Sequence, residues 1–108
     1  ILPKGWAEEG MSLADAAARE ALEEAGVTGA ISPQTVGRYH YLKEKKSWGA
    51  LPCRVDVFSL KVTAQVRVFA EKGARQLTWL PVEQAALRVC EPGLRHLILD
   101  FRKSPLAA

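Results

Sequence analysis

Three glutamates, Glu20, Glu23 and Glu24, lie within five residues of one another in the N-terminal third of the chain. Ser12 begins a stretch rich in alanine and leucine that stops at a glycine, so residues 12–25 are predicted to form a helix. At about 100° per residue the three carboxylates fall on one side of that helix, opposite its alanines. This pattern is typical of a solvated acidic face or of a site for a hard cation such as Mg²⁺, which prefers oxygen ligands.

The residues around this cluster form a longer motif. From Gly5 to Val27 the chain is GWAEEGMSLADAAAREALEEAGV. It resembles the Nudix box, the signature of Nudix hydrolases, written G-x5-E-x7-R-E-U-x-E-E-x-G-U with U an aliphatic residue. The positions that match are Gly5, Arg19, Glu20, Glu23, Glu24, Gly26 and Val27. Met11 stands where the family usually has its first glutamate, and this is a clear departure.

The resemblance implies a fold and a domain organisation. It predicts a single α/β domain over residues 1–108, an α/β/α sandwich with a mixed β-sheet, with the box at residues 5–27. Strands usually precede the box in this family, so we expect an N-terminally truncated domain whose first strands lie upstream of Ile1. A sheet edge exposed in this way favours pairing with another chain and leaves a homodimer open.

The resemblance also implies an activity, the Mg²⁺-dependent hydrolysis of a phosphoanhydride bond in a small phosphorylated substrate, with Mn²⁺ as an alternative metal. By analogy Glu20, Glu23 and Glu24 would bind the metal together with the carbonyl of Gly5. Arg19 would orient the glutamates, and Glu20 is our choice of general base. A metal ion can both neutralise charge on phosphate oxygens and activate water, which is what this reaction requires.

Met11 favours a second hypothesis, a Nudix-fold module that binds or regulates without turnover. A thioether is a soft ligand and suits Mg²⁺ poorly. Glu8 and Glu9 lie on the same predicted loop. Two interpretations are open for each: it substitutes for the missing carboxylate, or it is a solvated loop residue.

The substrate class is indicated by basic residues. Residues 2–6, Leu-Pro-Lys-Gly-Trp, resemble the start of the box in Nudix enzymes acting on diadenosine or diphosphoinositol polyphosphates. Lys4 beside the metal, and Lys43 and Lys45 on a predicted loop, would attract such an anion. The plainer interpretation of each is an exposed loop lysine.

Charge and composition decide which other classes of protein stay possible. The first 30 residues carry six acidic and two basic side chains, whereas the rest carries six acidic and thirteen basic ones. A net charge of +3 and a basic pI suggest a nucleic-acid-binding module as a third hypothesis, the weakest because no such signature is present. No apolar run is long enough for a membrane span, and two cysteines are too few for a disulfide scaffold, so we expect a cytoplasmic protein without a membrane partner.

The pattern beyond the box predicts alternating elements. We expect one or two strands over residues 31–42 with a break near Pro33 or Gly37, a polar loop over 43–52, and strands over 53–62 and 75–80. Helices are expected over residues 81–89 and 91–103, each with a proline near its start.

Overall fold

The computed structural model describes residues 2–45, 49–67, 69, 73 and 77–103. Within them the chain forms helix α1 (Leu13–Ala25), strands β1 (Val27–Lys45) and β2 (Gly49–Gln65), and helices α2 (Val82–Arg88) and α3 (Pro92–Phe101). The two strands pair in one two-stranded antiparallel sheet. The predicted α/β class is therefore confirmed. None of the described helices has the length and the apolar character needed to cross a bilayer.

The chain divides into two compact units. The first unit comprises Ile1–Thr35 and Phe58–Trp79, and it contains α1, residues 27–35 of β1 and residues 58–65 of β2. The second unit comprises Val36–Val57 and Leu80–Ala108, and it contains residues 36–45 of β1, residues 49–57 of β2, and helices α2 and α3.

Helix α1 is formed by the local signals that predicted it. The Ser12 hydroxyl accepts a hydrogen bond from the Asp15 amide at 3.0 Å, which satisfies one of the unpaired donors at the helix start. Gly26 ends the helix with a φ of 70°, and its amide donates to carbonyls of the last turn. A side chain at this position would also collide with the Phe69 ring, so both backbone conformation and packing require glycine.

The strands are longer than the sequence predicted. Strand β1 runs without interruption through Pro33 and Gly37, so the expected break is wrong, and the two strands extend into the predicted loop from both sides. Gly37 faces Leu97, which leaves no room for a side chain, so this glycine serves close packing and not a turn. The expected strand over 75–80 is absent from its described part, because residues 77–80 have no strand partner there.

The second unit has its own apolar core. Tyr39, Val89 and Leu94 are buried there, with side chains from both strands and from α3 packed around them. Arg95 closes the α2–α3 corner because its guanidinium donates to the carbonyls of Ala86 and Val89 at 3.1 and 3.0 Å. These helices confirm the two predicted near the C-terminus, each within about two residues of its expected bounds.

Candidate metal centre and hydrolytic site

The candidate site lies in the first unit, between α1 and the residues that precede it. We call residues 2–12 the N-terminal segment. The backbone amide of Lys4 donates a hydrogen bond to the Glu24 carboxylate at 2.9 Å. Because these residues are twenty positions apart, this bond fastens the segment to the last turn of α1.

The three predicted glutamates differ in their surroundings. Glu24 is the one buried charged residue in the described part of the chain, with 4% of its surface exposed. The Glu20 side chain is 15% exposed, whereas that of Glu23 is 44% exposed. Burial of an ionised carboxylate is costly unless a cation or hydrogen bonds compensate it, so Glu20 and Glu24 need such partners more than Glu23 does.

Gly5 lies directly against the Glu20 carboxylate. A Cβ atom at Gly5 would come within 2.5 Å of both Cδ and Oε1 of Glu20. Such a contact is far shorter than packed atoms adopt, so any side chain at this position would displace the carboxylate. The absence of a side chain therefore brings the Gly5 backbone and the Glu20 oxygens together.

Arg19 lies among three carboxylates. Its Nη1 is 3.3 Å from Glu8 Oε1, its Nη2 is 3.8 Å from Glu20 Oε1, and its Nε is 4.0 Å from Glu23 Oε1. The Arg19 Nε is buried and has no hydrogen-bond partner within the described ranges. Arg19 thus offsets part of the acidic charge on α1 through ion pairs that are mostly longer than direct hydrogen bonds.

Electrostatics in the cluster disfavour the ionised form of Glu20. Burial raises the pKa of Glu20, and the neighbouring charges of Glu24 and Glu23 and a side-chain hydrogen bond with Glu24 raise it further, against the opposing effect of Arg19. A carboxyl whose pKa is raised binds protons more readily than an ordinary glutamate. The same repulsion would be relieved by a cation placed between the carboxylates.

The site can be tested for its fit to a divalent metal from the donors present. Glu20 and Glu24 interact directly, the Gly5 backbone lies against Glu20, and the donors are oxygens. No group of three His, Cys, Asp or Glu side chains is gathered closely enough to surround one ion, as far as the described residues extend. Mg²⁺ is commonly held by one or two carboxylates and completed by water and phosphate oxygens, so this donor set fits that ion.

The structure describes the side chains of two of the three lysines predicted to bind substrate. Lys4 is exposed in the N-terminal segment of the first unit. Lys43 is exposed near the end of β1, in the second unit. The side chain of Lys45 lies outside the described part of the structure.

Two contacts were missed by reasoning from the sequence. The bond from the Lys4 amide to Glu24 involves a backbone group, which no residue pattern reveals. In the second unit, Arg38 and Arg54 approach the same buried Asp56 Oδ1, at 3.5 and 3.6 Å. The positions of Arg54 and Asp56 two apart on a strand, hence on one face, were the available signal.

One known protein family matches most of the chain. The model of the NUDIX domain family matches residues 1–101 of the chain. The chain therefore belongs to the NUDIX domain family. No solved structure gave a significant match.

The chain is also similar to curated plant proteins. It is 34% identical over 95 residues to "Nudix hydrolase 12, mitochondrial" of Arabidopsis thaliana, covering 83% of this chain and 45% of that protein. It is 38% identical over 85 residues to "Nudix hydrolase 17, mitochondrial" of the same plant, covering 79% of this chain and 44% of that protein. It is 29% identical over 103 residues to "Nudix hydrolase 16, mitochondrial", covering 93% of this chain and 57% of that protein. The chain spans about half the length of the curated relatives it matches.

Proposed function

We propose that this protein is a Mg²⁺-dependent pyrophosphohydrolase that cleaves a phosphoanhydride bond in a small, highly phosphorylated substrate. The observation that carries the proposal is the pair of neighbouring carboxylates on α1, the partly buried Glu20 and the buried Glu24, which contact the N-terminal segment at Gly5 and at the Lys4 amide. Membership of the NUDIX family supports the same reaction class, since the curated relatives are named as hydrolases.

Each residue of the site has a role in this proposal. Glu20 and Glu24 hold the metal with the Gly5 carbonyl, and the more exposed Glu23 completes the ligand set or faces its water shell. The metal, Mg²⁺ or Mn²⁺, supplies neutralisation of charge on the phosphate oxygens and activation of the attacking water. Arg19 orients the carboxylates by ion pairing. Glu20 is also the residue that we propose as the general base.

The substrate is proposed from charge. Lys4 lies in the N-terminal segment, next to Gly5, and its own amide contacts Glu24, so its side chain starts close to the proposed metal site. Lys43 and Lys45 add positive charge near the end of β1. A dinucleoside polyphosphate or a diphosphoinositol polyphosphate carries the high negative charge that such lysines would favour.

A substrate panel tests this proposal. The protein is incubated with dinucleoside polyphosphates, diphosphoinositol polyphosphates, nucleoside triphosphates and sugar nucleotides, with Mg²⁺ or Mn²⁺, in water enriched in ¹⁸O. Mass spectrometry of the products shows which bond is cleaved and which phosphorus receives the label. We expect turnover of at least one polyphosphate that stops when a chelator is added. Folded protein that cleaves none of these compounds with either metal would contradict the proposal.

Met11 supports the alternative, a non-catalytic NUDIX module that binds its ligand without turnover. Calorimetry distinguishes the two functions, because this module would bind a polyphosphate in the presence of Mg²⁺ and leave it intact. The cytoplasmic location, the absence of nucleic-acid partners and a homodimer stay predictions. Fractionation, a salt-dependent nucleic-acid binding assay and sedimentation address them in turn.

A further inference from the structure

The shortest ion pair of Arg19 among the described residues is not with a residue of its own helix. Glu8 Oε1 is 3.3 Å from Arg19 Nη1, closer than the carboxylates of Glu20 or Glu23. Glu8 belongs to the N-terminal segment, whereas Arg19 belongs to α1. The pair therefore joins the same two parts of the chain as the bond from the Lys4 amide to Glu24.

A tight turn places Glu8 next to Met11. The Met11 amide donates to the Glu8 carbonyl at 3.1 Å, and Gly10 has a φ of 81°, as the third residue of such a turn often does. Residues at the two ends of a β-turn lie close together, since their Cα atoms are less than about 7 Å apart. A carboxylate at position 11 would thus begin near the point from which Glu8 reaches Arg19.

Glu8 and Glu9 are neighbours with different contacts. The Glu8 side chain is 74% exposed yet directed to the Arg19 guanidinium. Glu9 is also exposed, and no ion pair of Glu9 occurs within the described part of the chain. Glu8 and Glu9 therefore allow a matched comparison between a carboxylate that contacts Arg19 and a neighbouring one that does not.

We propose that Glu8 is the positioning residue for Arg19 in this chain, supplying from the start of the turn the carboxylate that Met11 does not supply from its end. The Glu8–Arg19 pair holds the N-terminal segment, with Lys4 and Gly5, in place over α1. Its importance for activity rests on the proposed hydrolase function, whereas its effect on the segment does not. In this proposal Glu8 acts through Arg19 and is not itself a ligand of the metal or the substrate.

Hydrogen exchange of the Lys4 amide tests the proposal without metal or substrate. We compare wild type with E8Q, E9Q and the double variant E8Q/M11E, all in chelator. Loss of the Glu8 charge is expected to speed exchange of the Lys4 amide about three- to fivefold, because an ion pair that joins the segment to α1 is weakened. E9Q should exchange as wild type does, and M11E should restore protection to E8Q.

Mn²⁺ binding, followed by electron paramagnetic resonance, connects this effect to the site. The dissociation constant of E8Q is expected to rise about three- to tenfold, and M11E should reverse the rise. Equal exchange in E8Q and wild type, equal acceleration in E8Q and E9Q, or failure of M11E to restore protection would each overturn the role of Glu8. Wild type that binds no Mn²⁺ would instead overturn the proposed function, while the exchange data still decide the role of Glu8.

Discussion

The buried carboxylate of Glu24 accepts a hydrogen bond from the backbone amide of Lys4 at 2.9 Å. Because the donor is a backbone group, this hydrogen bond does not require a particular side chain at position 4. A neutral amide offsets less of a buried negative charge than a cation does.

Replacement of Glu24 by glutamine should abolish activity and leave the fold intact. Glutamine keeps a carbonyl oxygen for the Lys4 amide, but it lacks the charge that a metal ligand needs. We expect kcat/KM to fall about 100-fold or more, with a far-UV spectrum like that of wild type. Asp100→Asn, an exposed change on α3, is the control and should stay within twofold. An active Glu24→Gln protein would remove Glu24 from the metal site.

Replacement of Glu20 by glutamine should not destabilise the metal-free protein. The pKa of Glu20 is raised by burial and by its acidic neighbours, so the folded state binds this proton more tightly than the unfolded state does. Stability contributed by Glu20 is thus present at pH values below its ordinary pKa and is lost as pH rises through the raised one. Above that window the charged form opposes folding, and glutamine relieves it.

The measurement is urea unfolding in chelator at pH 5 and pH 8. At pH 8 Glu20→Gln is expected to unfold at the same or a higher urea concentration than wild type, with Glu9→Gln unchanged as the control. The same variant should lose activity when Mg²⁺ is present, which is the trade-off common at functional sites. A clear loss of stability at pH 8 would show that the Glu20 charge is compensated within the protein.

The sequence was sufficient to predict α1 and its carboxylates because their signals are local. Ser12 and Gly26 are a few residues from the groups they cap, and the spacing of the three glutamates fixes their side of the helix. The position of Lys4 over Glu24 was not predictable in the same way. It depends on how a segment without regular structure folds back, which no periodicity encodes.

The strands were underestimated for a related reason. Pro33 and Gly37 are ordinarily interruptions, and the sequence alone gave them that meaning. In the structure Gly37 is explained by Leu97, sixty residues away along the chain. A contact between such distant residues comes from tertiary packing, so a reading of neighbouring residues could not distinguish a turn glycine from a packing glycine.

Replacement of Gly5 by alanine should reduce activity more than stability. The new Cβ would meet Cδ and Oε1 of Glu20 at 2.5 Å, and the flexible end of that side chain can move away at small cost. Movement of the carboxylate disturbs the proposed metal site, so we expect kcat/KM to fall about tenfold or more. Gly93→Ala is the contrast, because its Cβ would meet Cβ of the packed Tyr39 at 2.8 Å.

Urea unfolding and steady-state kinetics on both variants measure the two effects. Gly93→Ala is expected to lose stability, about 1–3 kcal/mol, and to keep the turnover of its folded fraction. Full activity in Gly5→Ala, with Glu20 free to move, would contradict the placement of the metal beside Gly5.

The link between α2 and α3 should make the second unit sensitive to acid. Arg102 Nη1 donates to Glu83 Oε1 at 2.6 Å, and this bond lowers the pKa of Glu83. The folded state therefore binds the proton of Glu83 less readily than the unfolded state does. Its contribution to stability is present above the ordinary pKa of a glutamate and is lost as pH falls through the lowered value.

Thermal unfolding of wild type and Glu83→Gln between pH 2 and pH 7 measures this contribution. The two proteins should differ most at neutral pH and converge in acid, where Glu83 is protonated and has no charge left for Arg102 to stabilise. The difference should be small and should shrink in high salt, because both side chains are largely exposed. Asp100→Asn, an exposed change on α3, controls for the loss of a carboxylate from these helices. A difference between wild type and Glu83→Gln that stayed constant down to pH 2 would mean that the pair acts through packing and not through charge.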